Sequence, residues 1–166
     1  MLMKQRRVKT IPKDRLVLRD FHHVSLLVRD VEKCAESFAK VFGVGPFSVT
    51  PYHAPTSKAT VYGKHCGYRL KFGNGMIGST KLELVQPVEG RSALTDYLKK
   101  HGEGLHHLAF TCPPPLDEEL ARWRRMGIEA LQVDKSISED ARYGWAYMDT
   151  EKLVGCIIEI VCLPPS

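Results

Sequence analysis

The feature that most limits how this chain can fold is that it states one plan twice. Phe21-His22-His23-Val24-Ser25-Leu26-Leu27-Val28 stands near the beginning, and Leu105-His106-His107-Leu108-Ala109-Phe110 stands at mid-chain. Each is a short run of period-two character, which predicts a β-strand. Each is followed by a helix pattern. In the first half Asp30 is set to cap it, with Val31, Cys34, Ala35, Phe38, Val41 and Phe42 as its apolar stripe and Gly43 as its stop. In the second half Pro113–Pro115 precede Leu116, Leu120, Trp123 and Met126 on one face, and Gly127 closes the helix.

Strand-like segments complete both halves. Tyr68–Phe72 and Thr80–Val85 flank Gly73-Asn74-Gly75, which reads as a hairpin loop. Gly144–Asp149 and Cys156–Cys162 play the same parts later. The closing strands, Lys81-Leu82-Glu83-Leu84-Val85 and Ile157-Ile158-Glu159-Ile160-Val161, each carry one carboxylate among aliphatic residues. Between the halves, Ser92 is placed to cap a short helix with Leu94, Tyr97 and Leu98 on its apolar side and Gly102 as its end.

The expected fold is therefore α+β: two β-α-β-β-β modules, 20–90 and 103–164, joined by a linker helix over 91–102. If they pair about a pseudo-two-fold axis, the first and last strands of each face a common cleft. At 166 residues the chain suits one domain or two small modules sharing a core, since domains run to about 100–200 residues. Such a chain needs no disulfide to fold. Its five cysteines form no C-x-x-C pair, so reduced thiols in a cytoplasmic protein are the default reading.

The net charge of +5 belongs to residues 1–20. There Lys4, Arg6, Arg7, Lys9, Lys13, Arg15 and Arg19 face only Asp14 and Asp20, while the remaining basic and acidic residues cancel. A neutral body argues against a nucleic-acid partner. The segment 1–19 lacks the apolar region of a signal peptide and reads as a solvated basic arm, with an anion- or partner-binding strand as the alternative. No apolar run reaches the roughly 18 residues of a membrane span.

Strand alternation separates the histidines. His23, Ser25 and Leu27 share one face, and so do His107, Ala109 and Thr111; His22 and His106 fall on the opposite, greasier faces. The small Ser25 and Ala109 leave space beside His23 and His107. If first and last strands of both modules face one cleft, it receives two imidazoles and two carboxylates, His23, Glu83, His107 and Glu159. That mixed nitrogen and oxygen set suits Zn, Co, Ni, Mn or Fe(II), and the cation compensates for burying two carboxylates. A lone strand histidine or buried glutamate usually has a structural role. The repetition of the His-then-Glu arrangement at matching places turns the reading toward a divalent metal ion.

At these residues the chain resembles the vicinal oxygen chelate superfamily, and within it the methylmalonyl-CoA epimerases. The likeness rests on His23-Val24 followed by Val28-Arg29-Asp30-Val31-Glu32, on Thr80-Lys81-Leu82-Glu83-Leu84-Val85-Gln86-Pro87 and on Gly155-Cys156-Ile157-Ile158-Glu159-Ile160. Its most specific stretch is Gly102-Glu103-Gly104-Leu105-His106-His107-Leu108-Ala109-Phe110. The resemblance covers roughly residues 20–163 and implies that the two modules form a pseudo-two-fold open barrel with a central metal-binding cleft, and that His23, Glu83, His107 and Glu159 are metal ligands in a homodimeric protein. Some epimerases have Gln where Glu83 stands, and glyoxalase I enzymes also use a His-Glu-His-Glu set. The resemblance further implies a second carboxylate base on the middle strands of the first half. Between Glu36 and Glu83 this chain has no Asp or Glu, so its second proton carrier is of another kind or its reaction differs.

The expected chemistry follows. An ion-bound carbonyl makes the neighbouring C–H more acidic, and Glu159, with Glu83 in reserve, is positioned to take and return the proton. The leading expectation is a metal-dependent epimerase or isomerase acting on a small-molecule acyl thioester, such as a CoA ester. A glyoxalase I-type lyase is the alternative, and Fe(II) dioxygenase chemistry a third enzyme reading. A non-catalytic small-molecule binding protein of the same fold is the reading from another class. Tyr143, Trp145 and Tyr147 are candidates for an apolar ligand wall or for strand packing. Lys58, Lys64 and Arg69 are candidate phosphate contacts or solvated surface charge.

Overall fold

The computed structural model describes residues 15–165; residues 1–14 of the expected arm lie outside them. The chain order is β1 (Phe21–Leu27), α1 (Val31–Phe42), β2 (Ser48–Ala54), β3 (Ala59–Val61), β4 (Lys64–His65), β5 (Tyr68–Ile77), β6 (Thr80–Glu89), α2 (Ala93–His101), β7 (Gly104–Thr111), α3 (Leu116–Arg125), β8 (Ala130–Asp134), β9 (Gly144–Met148), α4 (Glu151–Val154) and β10 (Ile157–Cys162). All ten strands share one sheet in the order β2-β5-β6-β1-β7-β10-β9-β8-β3-β4.

The centre of that order is the antiparallel pair β1·β7. Outward from it, β6, β5 and β2 on one side mirror β10, β9 and β8 on the other. β1 runs parallel to β6, and β7 runs parallel to β10. A parallel neighbour requires a long crossover, and in each half the intervening helix supplies it. The α+β architecture of two β-α-β-β-β units about a pseudo-two-fold axis is present, with one addition. The hairpin β3–β4 comes from the first half of the sequence, yet β3 pairs with β8 at the far edge of the second.

The helices form where their ends are satisfied. Asp30 Oδ1 accepts from Lys33 N–H at 2.9 Å, and Gly43 closes α1 with φ 65°. Ser92 and Thr95 make a reciprocal capping box on α2. Three apolar layers result. Val24, Leu26, Val28, Leu82 and Leu84 pack beneath α1, and Leu108, Phe110, Ile158 and Ile160 pack beneath α3. Leu27, Tyr68, Leu70, Val85, Ala109, Trp145, Tyr147 and Val161 fill the inside of the curled sheet. Two predicted stripes are shorter than expected: Val41 and Phe42 are exposed at the end of α1, and Met126 is exposed just past α3. The five cysteines are free thiols. Among the described residues no helix is long and apolar enough to cross a membrane.

The segment Gly73-Asn74-Gly75 is not the hairpin loop. β5 runs straight through it, and the chain turns instead at Gly78, where φ is +60°. The two glycines answer a packing need. A Cβ on Gly73 would stand 2.7 Å from Val31 Cγ2, and one on Gly75 would stand 2.7 Å from the Phe47 ring. They let α1 and Phe47 approach the sheet. Gly73→Ala should therefore cost about 1–3 kcal/mol through overpacking, read as a lower urea midpoint. In the Gly73→Ala/Val31→Ala double variant the loss should be smaller than the sum of the two single losses. Full additivity would mean that the two sites do not meet.

Candidate metal centre

The sheet register brings the predicted ligands together in two short rows. In one, His23 on β1 and Glu159 on β10 flank Ala109 of β7. In the other, Glu83 on β6 and His107 on β7 flank Ser25 of β1. Strands lie about 4.8 Å apart, so each row holds its two ligand backbones about two strand spacings apart. The small residue between them leaves a hollow. Ala109 and Ser25 are fully buried, and all four predicted ligand side chains are buried.

The donor atoms converge in that hollow. His23 Nε2 is 3.0 Å from His107 Nε2. Glu159 Oε2 lies 3.2 Å from each of these nitrogens. Glu83 Oε1 lies 3.4 Å from His23 Nε2 and 3.6 Å from His107 Nε2. Ligand bonds of about 2.1 Å to a single divalent ion place adjacent donors roughly 3.0–3.4 Å apart, depending on coordination geometry. The His23, His107 and Glu159 spacings fall in that range and those of Glu83 lie at or just beyond its upper end; His23, Glu83 and His107 each offer a ligand atom within 4.8 Å of the others. Glu159 Oε2 is buried and, despite its two close nitrogens, has no hydrogen-bond partner. An orphaned carboxylate oxygen is costly, and a cation shared with the imidazoles removes that cost. The residues present fit a divalent metal ion.

Without an ion the same atoms interact through a proton. Burial alone would push the His23 imidazole down, but the Glu159 and Glu83 carboxylates beside it outweigh burial and hold it up at about 9. Burial would raise the Glu159 carboxyl; the His107 and His23 imidazoles overcome this and hold it well below the usual carboxylate range. Ser25 Oγ donates to Glu83 Oε1 at 3.1 Å, fixing that carboxylate from the side.

His22 and His106 do not take the faces that strict alternation assigns them. Both contact the ligand histidine that follows them, Nδ1 to Nδ1, at 2.8 and 2.9 Å. His106 is buried inside the sheet against Tyr97 and Tyr147, away from Leu108 and Phe110 beneath α3. The reason is a bulge in each strand, which shifts the register at these two residues.

The remaining predicted residues separate. Trp145 and Tyr147 lie in the inner layer with ring centroids 4.8 Å apart, and Tyr147 is 4.9 Å from His107. Tyr143 precedes β9 and packs on the α3 side instead, beneath the Arg142 guanidinium. Its sequence parity with Trp145 does not carry past the strand's first residue. Lys58 pairs with Glu139, and the exposed Arg69 pairs with Glu89 at 3.4 Å. Lys64 is exposed on β4 beside a cavity of about 480 Å³ that Arg91 also lines.

Sequence reasoning missed an inner polar group. Asp134, fully buried at the end of β8, accepts from the Tyr68 hydroxyl and from Ser136 through both its N–H and its hydroxyl. Tyr52 Oη lies 2.8 Å from Ser136 Oγ. Burial, with Asp134 beside it, pushes the Tyr68 phenol far up, so it stays protonated. Asn74 stands directly opposite Glu83 on β5, with a buried Oδ1 that has no hydrogen-bond partner. The available signal was period-two placement: Gln132 and Asp134 alternate with Leu131 and Val133.

Comparison with known proteins gives four matches. Residues 22–147 match the profile of the Glyoxalase/Bleomycin resistance protein/Dioxygenase superfamily. Methylmalonyl-CoA epimerase from Mycobacterium tuberculosis is similar in structure, with a TM-score of 0.60, 17% identity and coverage of 87% of this chain and 88% of that one. A variant of the Streptomyces coelicolor methylmalonyl-CoA epimerase, in complex with 2-nitronate-propionyl-CoA, aligns with a TM-score of 0.60 and 21% identity over 90% of this chain and 100% of its own. In sequence, the uncharacterized protein YqjC of Bacillus subtilis (strain 168) is 51% identical over 35 residues, 21% of this chain and 25% of that protein. The matched stretch thus spans about a quarter of that curated relative.

The proton held on His23 makes the metal-free protein sensitive to alkali. A folded-state pKa near 9 against an unfolded value of about 6.5 means the stabilisation is complete below pH 6.5. It is lost as pH rises through 9. In chelator, the denaturation midpoint should fall over that window, and His23→Ala should remove the fall. A saturating divalent ion, which takes the place of the proton, should flatten the profile. An equal fall in His23→Ala would refute the assignment.

Proposed function

The chain belongs to the glyoxalase/bleomycin resistance protein/dioxygenase superfamily, and on that premise we propose that it is a metal-dependent epimerase or isomerase that moves a proton next to the carbonyl of an acyl thioester. The observation that carries the reading is the meeting of two imidazoles and two carboxylates from duplicate strands, with the two imidazole nitrogens 3.0 Å apart and each carboxylate oxygen 3.2 to 3.6 Å from both of them. His23, Glu83, His107 and Glu159 would hold the ion. When bound, it would polarise a carbonyl oxygen and so acidify the adjacent C–H.

The two carboxylates have different tasks in this proposal. Glu83 is anchored by the Ser25 hydroxyl, which suits a fixed ligand. Glu159 Oε2 has no such anchor, which suits a carboxylate that must turn toward a substrate, and the neighbouring imidazoles keep it ionised. Glu159 is therefore the base that takes and returns the substrate proton, with Glu83 in reserve. Trp145 and Tyr147, buried beside His107, would form the apolar wall that excludes water, and Lys64 and Arg69 are the candidate contacts for the phosphates of a CoA ester. Structural neighbours in complex with 2-nitronate-propionyl-CoA and with methylmalonyl-CoA support that substrate class.

One observation favours a second reading, a glyoxalase I-type lyase. The middle strands of the first half carry no carboxylate, and the residue opposite Glu83 is Asn74. Turnover of methylglyoxal with glutathione, set against methylmalonyl-CoA and other acyl-CoA esters, separates the two. For the leading reading, Glu159→Gln should slow solvent deuterium exchange into the thioester by about 10²–10⁴-fold while the variant still folds and takes up metal. Undiminished exchange in that variant would remove Glu159 as the base.

A further inference from the structure

We propose that His22 and His106 are positioning residues: each sits in a β-bulge, accepts a hydrogen bond from the ligand histidine that follows it, and so fixes that histidine's tautomer and aim. The inference rests on the metal reading of His23 and His107 and extends it to a second layer.

Consecutive residues of a regular strand point to opposite faces and cannot hydrogen-bond side chain to side chain. Here they do, twice. Along β1 the pairing passes from Phe21 opposite Phe110 to His23 opposite Ala109, so His22 is one extra residue. Along β7 it passes from His107 opposite Ser25 to Leu105 opposite Leu26, so His106 is the extra one. A bulge places two residues of one strand against one of its partner and re-aims a side chain. In both places the outcome is the same atom pair, Nδ1 to Nδ1, at 2.8 Å for His22 and His23 and at 2.9 Å for His106 and His107.

The chemistry of that pair has one solution when an ion is bound. Nε2 of His23 and His107 faces the carboxylates, so Nε2 must present its lone pair to the ion. A neutral imidazole then carries its hydrogen on Nδ1. That N–H donates, and Nδ1 of His22 or His106 accepts. Each ligand imidazole is thereby held in the metal-binding tautomer, and a hydrogen bond donated from the far nitrogen makes Nε2 a better donor to the ion. His106 is itself clamped. It is 1% exposed, with the Tyr97 ring at 4.6 Å and the Tyr147 ring at 5.1 Å, both nearly perpendicular to it. His22 is only part-buried, which makes it the better position for substitution.

The test is Co²⁺ affinity of the whole chain, measured by competition with a chromophoric chelator and by the Co²⁺ absorption bands. His22→Leu removes the acceptor and should weaken binding by about 10–100-fold and shift those bands. His22→Asn, which restores an acceptor oxygen on a short side chain, should recover most of the affinity. His106→Leu should behave like His22→Leu where circular dichroism shows it folded; His22 carries the test if it is not. A folded His22→Leu with wild-type affinity and spectrum overturns the inference while leaving the proposed function standing. Equal losses in His22→Leu and His22→Asn overturn it too, since packing alone would then explain both. A wild-type chain that takes up no Co²⁺ refutes the metal reading, and this inference with it.

Discussion

The antiparallel pairing of β1 with β7 is the interaction on which everything else depends. It is the seam between the two halves, and it sets His23 and His107 side by side although 84 residues separate them in sequence. Each of these strands then recruits its own parallel neighbour, β6 or β10, which delivers one carboxylate. Without the seam each half would hold one imidazole and one carboxylate, too few donors to enclose an ion. Burying the carboxylates is tolerable only because opposite charge meets them in the same hollow. An isolated buried ion costs several kcal/mol, and here an imidazolium or a metal cation supplies the compensation.

Duplication made the convergence of these four side chains legible in the sequence. One histidine in a strand says little, but His23 with Glu83 and His107 with Glu159 repeat a relation, and the parity of Ser25 and Ala109 points to the same face. What escaped was anything that breaks periodicity. His22 and His106 look like core-facing residues by alternation, and only a bulge, whose cause lies in pairing with a distant strand, turns them toward the ligands. Gly73 and Gly75 look like a turn because composition cannot distinguish a glycine that bends the chain from one that admits a neighbour. Tyr143 falls away from Trp145 and Tyr147 because alternation holds only inside the strand.

The inner layer also shows why no further charge was needed beside the ligands. Trp145, Tyr147, Tyr68 and Tyr52 occupy the sheet's concave side, and the buried carboxylate there, Asp134, is satisfied by Tyr68 and Ser136. The phenols keep their protons because ionising them inside the layer, near Asp134 or the ligand glutamates, would place negative charges together. A cleft lined this way keeps its phenols neutral, and that of Tyr68 hydrogen-bonded. Its carboxylates are Asp134, held by Tyr68 and Ser136, and the two glutamates beside His23 and His107.

The crossing of β3 and β4 has a consequence for how the chain holds together. A strap from the first half closes the outer edge of the second, so the duplicate units are interlocked as well as adjacent. Peeling them apart would strip backbone partners from β8 and lay open a sheet edge that invites association with other chains. The two units therefore share an edge as well as a seam, and neither keeps all its backbone partners without the other.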